Sequence, residues 1–151
     1  MEKISITFEI PYRIIAKKNS KQIVRNGGHT FIISSKAYRE FEQVTTELLG
    51  YTVANRLGAT LKPPYTCAYD IYFKGRYEAD LDNLIASIND CMEKAGLIEN
   101  DKYIREYDKP TRFSNMADSF RAVVTLTGFK DTARKHDTEP RIDTKTKVAV
   151  R

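Results

Sequence analysis

A change of period constrains this chain more than any other feature of its sequence. From Cys67 to Phe73 the residues Cys67, Tyr69, Ile71 and Phe73 alternate with Ala68, Asp70 and Tyr72, the two-residue repeat of a half-buried strand. Past Gly75 the repeat lengthens. Leu81, Leu84, Ile85, Ile88, Met92 and Ala95 fall at helical spacing and form one apolar stripe, and Gly96 reads as the helix stop. A strand must therefore hand over to a helix in the polar stretch Arg-Tyr-Glu-Ala-Asp-Leu-Asp-Asn that begins at Arg76.

Two carboxylates, Asp80 and Asp82, stand at that junction with Asn83 beside them. On an ideal helix, positions two apart point about 200° away from each other, so the two cannot share a ligand if both lie inside it. Asp80 then belongs to the extended segment and Asp82 to the cap or first turn. Carboxylates on such a corner can converge on a hard cation. Mg²⁺ is usually held by one or two carboxylates together with waters and phosphate oxygens. Asp101 is the natural third ligand. The helix carries the chain roughly 20 Å from its start, and five extended residues after Gly96 return about 16 Å. Asp101 thus comes back to the corner, or a partner subunit supplies it. The alternative is that the acidic corner only caps the helix and complements its dipole.

Charge is distributed unevenly. The net value is +5 over 151 residues, yet residues 10–39 carry Arg13, Lys17, Lys18, Lys21, Arg25, Lys36 and Arg39 with no acid among them. A basic arm in front of an acidic centre suits a nuclease, because cations hold the phosphate backbone while carboxylates hold a metal. The alternative is a solvated basic face. Within the arm, the strand-like runs 22–24 and 30–33 flank Arg25-Asn26-Gly27-Gly28-His29, a hairpin signal expected to project Lys21, Arg25 and His29 near its tip. His29 reads as a surface residue. Asn19 and Ser20 can donate to phosphate without adding charge.

The remaining elements follow the same logic. Ile4, Ile6, Phe8 and Ile10 alternate as a first strand rather than a signal peptide. A helix is expected from about residue 35 to 55, capped by Ser34 or Ser35, with Phe41, Val44, Leu48 and Tyr51 on its apolar side. Gly58 and Pro63-Pro64 read as its end and as a connection. Residues 103–108 suggest a short strand and 120–126 a better one, with the run 109–119 as a polar loop. Asp70 is expected to face solvent, and Tyr12 and Tyr77 are candidates for stacking on bases. Residues 1–129 form the expected domain and 130–151 a polar tail. No run approaches the ~20 apolar residues of a membrane span. Cys67 and Cys91 lack ligand-like neighbours and read as reduced core residues of a cytoplasmic protein.

Asp-Leu-Asp-Asn-Leu from Asp80, followed by a helix that ends Lys-Ala-Gly-Leu-Ile-Glu-Asn-Asp at Asp101, resembles the RusA-type Holliday junction resolvases. These are small phage and prophage endonucleases that cut branched DNA as Mg²⁺-dependent homodimers. The resemblance implies that Asp80, Asp82 and Asp101 are catalytic metal ligands, with Mn²⁺ as a substitute metal, and that a four-way junction and a second copy of the chain are the partners. The family often carries a Lys four residues after its second Asp, where this chain has Ala86; Lys74, Lys94 and Lys102 are the available replacements. Lys17, Lys18, Asn19, Lys21 and Arg25 of the arm, with Arg76 and Asn83 at the corner, are the expected DNA contacts. The element order predicts a small α+β domain, a mixed or antiparallel sheet with two main helices on it. The expected activity is junction resolution by paired phosphodiester hydrolysis, with a junction-binding protein of weak or no cleavage as the alternative. A hydrolase of small phosphate esters is a third reading.

Overall fold

A computed structural model describes residues 1–17 and 21–131. The candidate contacts Lys18 and Asn19, and the tail from residue 132 on, lie outside the described residues.

The long strand β4 (Lys62–Lys74) is the axis of the fold. It pairs antiparallel with β7 (Arg121–Lys130), which pairs antiparallel with β1 (Glu2–Ile10). Its other edge is shared by two short parallel strands. β5 (Ile104–Tyr107) takes the first part of that edge and β6 (Arg112–Ala117) the last. This is a small α+β fold with a mixed five-stranded sheet, as the order of elements predicts.

Register decides which face is buried. Cys67, Tyr69 and Ile71 stand opposite Leu126, Val124 and Ala122 of β7, and Ile6 and Ile10 of β1 stand opposite Leu126 and Ala122. Because side chains alternate along each strand, these residues share one face, and all of them are buried. The helix α3 (Leu81–Lys94) packs on this face, where the Tyr69 hydroxyl donates to Asn89. The opposite face is rich in hydroxyls: Thr7 meets Thr125 at 3.1 Å and Thr127 donates to Ser5 at 3.0 Å.

The helix α1 (Lys36–Leu49) packs against α3. Ser35 caps it, accepting from the Tyr38 N–H at 3.2 Å. It runs on through a π-helical turn (Gly50–Ala54) into the short α2 (Asn55–Leu57), which Gly58 ends at φ 72°. The buried stripe is Tyr38, Phe41, Thr45 and Leu49. That corrects the expected face: Val44 and Tyr51 are exposed. Thr45 takes the core position because its hydroxyl is paired with the Tyr12 hydroxyl at 2.8 Å. Tyr12 is thus committed to the fold, with its ring set edge-on to Phe41, and is not free to stack on a base.

The basic hairpin forms as β2 (Lys21–Asn26) and β3 (His29–Ser34). Gly27 and Gly28 make the turn at φ 57° and 82°, a left-handed pair that glycine adopts without penalty. Arg25 and His29 are exposed near the tip. Lys21 is not there; it stands opposite Ser34 at the base.

Three other expectations change. Pro63-Pro64 does not precede the strand but lies within it, and pairing with β7 skips from Lys62 to Thr66, so neither proline has to donate to the ladder. The polar run after Asp108 is not all loop: Arg112–Ala117 is β6, which docks on β4. Asp70 is not solvent-facing. It is 9% exposed, with Arg112 of β6 donating to both carboxylate oxygens at 3.1 and 3.3 Å and Tyr72 donating at 2.7 Å. A buried charge persists only when paired in this way.

Candidate active site

The acidic corner is built by its neighbours. Gly75 leaves β4 at φ 79°, and its carbonyl accepts from the Met116 N–H at 2.7 Å. Asn115 donates to the Tyr77 carbonyl at 3.1 Å. The end of β6 thereby pins the exposed linker Arg76–Ala79 that leads into α3.

Asp80 is the N-cap. Its backbone is extended at φ −82°, ψ 117°, and its side chain accepts from the Asp82 N–H at 3.1 Å. Its carbonyl accepts from the N–H groups of Asn83 and Leu84, both at 3.1 Å. Asp82 is in the first turn, so the two carboxylates sit on either side of the boundary, as their spacing requires. The cap is Asp80 rather than Asp82. Both are exposed, and Asn83 beside them is half-buried.

Asp101 is positioned by a different route, against Glu93 in the last turn of α3, and does not form a three-membered cluster with Asp80 and Asp82. Ala95 closes α3, and Gly96 at φ 80° turns the chain so that the Leu97 N–H reaches the Met92 carbonyl at 2.9 Å. Leu61 then donates to the Leu97 carbonyl at 3.0 Å and bridges to Ile98. The buried Tyr65 hydroxyl donates to the Leu61 carbonyl and accepts from the Glu99 N–H at 2.9 Å. The Asp101 N–H ends the return on the Glu93 carboxylate at 3.1 Å, in a 3-10 turn (Asp101–Tyr103).

That contact defines a polar face of α3 running from Asp82 through Ala86, Asn89 and Asp90 to Glu93. Asn89 is 6% exposed and accepts from Tyr69. Tyr107 of β5 sets its ring edge-on to Tyr69, with centroids 5.6 Å apart. Burial raises the Tyr107 pKa, and the negative charges of Asp82 and Asp101 add to that shift while a hydrogen bond with Asn89 opposes it. Burial also raises Asp90; Lys17 opposes that shift and Asp101 adds to it.

The protein supplies its own cations at the far end of this face. Lys17 places Nζ 3.7 Å from Asp90, and its N–H donates to Ser87 Oγ at 3.1 Å. The basic arm therefore starts against α3. Lys94 is 2.7 Å from Glu42 of α1. Burial pushes the Glu42 pKa up, but the Lys94 and Tyr38 hydrogen bonds and the charges of Lys94 and Lys17 outweigh it, and the carboxyl ends below its ordinary value. Lys94 is thus occupied. Lys74 and Lys102 are exposed, Ala86 is exposed at the middle of the face, and Arg76 is exposed in the linker.

The donor set suits a hard cation, because Asp80, Asp82 and Asp101 offer only oxygen and the first two are open to solvent. Among the described residues no group of three or more His, Cys, Asp or Glu is close enough to hold a metal ion. A pair of carboxylates with water and phosphate oxygens remains within the habits of Mg²⁺. Cys67 and Cys91 are free and buried; burial lifts their pKa values to about 11 and about 12, which keeps both thiols protonated and inert. Among the described residues no helix is long and apolar enough to cross a membrane.

Tyr107, Asn89, Asp90 and Glu93 were not singled out from the sequence. Spacings of seven, eight and eleven residues from Asp82 put the last three on its side of the helix, a signal the apolar stripe overshadowed. Tyr107 carries no local signal, because parallel pairing brings it there. A scan against protein-family models finds no match to this chain, and a search of curated proteins finds none either.

Proposed function

We propose that this chain is a metal-dependent endodeoxyribonuclease that cuts branched DNA, as the resemblance of its Asp80–Asp101 segment to the RusA-type resolvases implies, working as a homodimer in the cytoplasm. The observation that carries the reading is the strand-to-helix corner itself: two exposed carboxylates, one extended and one in the first turn, on the helix against which the basic arm begins.

In this reading Asp80 and Asp82 would hold Mg²⁺, or Mn²⁺ in its place, with Asp101 of the same chain or of a second copy as the third ligand. A divalent ion held there would supply an activated water and charge neutralisation at the phosphate. The chain's residues do the rest. The capping bond from the Asp82 N–H fixes one oxygen of Asp80. Asn83 donates to a phosphate oxygen or orients the neighbouring carboxylate. Lys17, Lys18, Asn19, Lys21, Arg25 and Arg76 hold the backbone without reading sequence. A two-fold dimer presents two such corners to a two-fold junction, which paired nicks require.

A labelled four-way junction and a linear duplex of the same sequence, incubated with and without Mg²⁺ or Mn²⁺, test this. Paired nicks confined to the junction and dependent on metal are expected. Junction binding without nicks under either metal would select the second reading, a junction-binding protein with weak or no cleavage. The observation favouring that reading is specific: Ala86 offers no cation at the centre of the acidic face, and the described carboxylates do not assemble as a three-membered cluster. Absence of both binding and nicking would remove both.

A further inference from the structure

Beside the acidic corner lies a cation that the fold has positioned without neutralising. Arg13 follows β1, and its guanidinium carbon is 4.7 Å from the Tyr77 ring centre, 5.1 Å from that of Phe73 and 5.5 Å from that of Phe120. The rings hold one another. Phe73 meets Phe113 edge-on at 5.0 Å and Phe120 at 5.4 Å, and Phe120 meets Tyr77 at 6.2 Å. Three segments of the chain therefore converge on one arginine, the end of β4, the linker and the turn before β7, with Phe113 of β6 backing Phe73.

Ring contacts stabilise the charge and restrict the side chain, but they satisfy none of the five guanidinium N–H donors, because an aromatic carbon ring offers no lone pair. Among the described residues no carboxylate pairs with Arg13. By contrast Arg112 is spent on Asp70, and Arg121 on Glu9. Arg13 is exposed, and so are Arg76 and Tyr77 beside it.

Its position gives this donor set a use. Tyr77 is three residues ahead of Asp80, a span of at most about 10 Å of chain. One strand of DNA carries a charge about every 3.4 Å along its axis, so the cage lies within roughly three nucleotides of whatever phosphate sits at the carboxylates. A planar fork held in place matches two oxygens of one phosphate, which a flexible ammonium does not.

We propose that Arg13 is a backbone-phosphate contact of the bound DNA strand, pre-set by the Phe73, Tyr77 and Phe120 rings, which fixes where that strand enters the Asp80–Asp82 corner. This rests on the nuclease reading and adds to it a strand-positioning residue outside the basic hairpin.

The test is fluorescence anisotropy on a labelled four-way junction without divalent metal, titrated between about 50 and 200 mM salt, for the wild type, Arg13→Gln and Arg13→Lys. For Arg13→Gln the slope of log affinity against log salt should fall by about one, with binding weakened about tenfold at the lower salt. Arg13→Lys should keep the wild-type slope and still bind more weakly, because charge is retained while the fork is lost. Thermal melting of each variant establishes that it is folded. If Arg13→Gln is folded and superimposes on the wild type in slope and affinity, the inference is overturned while the nuclease reading stands. If Arg13→Gln does not fold, Arg13→Lys decides: weaker binding at the same slope supports the contact, and wild-type affinity overturns it. A wild type that shows no salt-dependent DNA binding would bring down the nuclease reading itself, and the contact with it.

Discussion

The two ends of α3 carry similar numbers of acids and treat them differently. At the far end, Asp90 has Lys17, Glu93 accepts from the Asp101 backbone, and Lys94 pairs across to Glu42 of α1. At the near end, the Asp80 side chain accepts from the Asp82 N–H, and among the described residues no lysine or arginine pairs with Asp80 or Asp82. A fold that answers one set of charges with its own cations and leaves the other open separates structural acids from available ones. Openness alone does not make a site. It does say where a cation from outside would meet least competition.

The sharpest way to break this comparison is Asp82→Asn. In the nuclease reading it should abolish metal-dependent nicking of a four-way junction, a loss of about 10³-fold or more, since several kcal/mol of charge stabilisation go with the carboxylate. Junction binding should hold or tighten, because one negative charge leaves a polyanion site. Nicking at the parental rate would show the near end to be a helix cap and nothing else.

Asp80 separates the two roles within one residue. Asp80→Ala should lower stability by about 1 kcal/mol, the usual cost of a lost cap, whereas Asp80→Asn keeps a good capping side chain and should melt close to the wild type. Both should lose nicking. Denaturant unfolding beside a cleavage assay reads the pair, and an Asp80→Asn variant that cuts normally would confine Asp80 to capping.

The smallest effect belongs to the far end. The folded pKa of Asp90 is raised, so the stability it contributes is fully present below its ordinary value near 3.8 and is lost as pH rises through the folded pKa. Asp90→Asn should therefore raise the melting temperature at pH 7 slightly, by less than about 1 kcal/mol of stability, since the site is partly exposed and the Lys17 contact is given up. That gain should disappear as the pH falls below the ordinary carboxylate range. A gain that persists at low pH would mean that packing, not charge, is responsible.

Local rules made much of this legible beforehand. The switch of period around Gly75, the turn at Gly27-Gly28, the stop at Gly96 and the division of labour between Asp80 and Asp82 all follow from contacts within a few residues. What stayed hidden depends on pairing over long sequence distances. Asp70 reads as a polar strand residue until Arg112 arrives from β6, 42 positions on, and β6 looks like loop because its partner on β4 lies equally far back. The α1 face was misplaced by a threonine, which becomes a core residue only through Tyr12. Among the candidate site residues, the corner could be located from sequence. The approach of Tyr107, the far-end neutralisation and the aromatic hold on Arg13 could not, since each joins segments that only the sheet brings together.

The Tyr65 hydroxyl bonds to two segments that β4 and α3 separate in the chain, the Leu61 carbonyl before β4 and the Glu99 amide two residues ahead of Asp101. Its ring is fully buried, so a surface carboxylate takes its coordinates from the middle of the protein. Removing that hydroxyl alone, with no change in ring volume, would leave the core full and take away one of the ties that hold the return segment. A position that any packing criterion would classify as interior filler is in this sense part of the alignment of the surface.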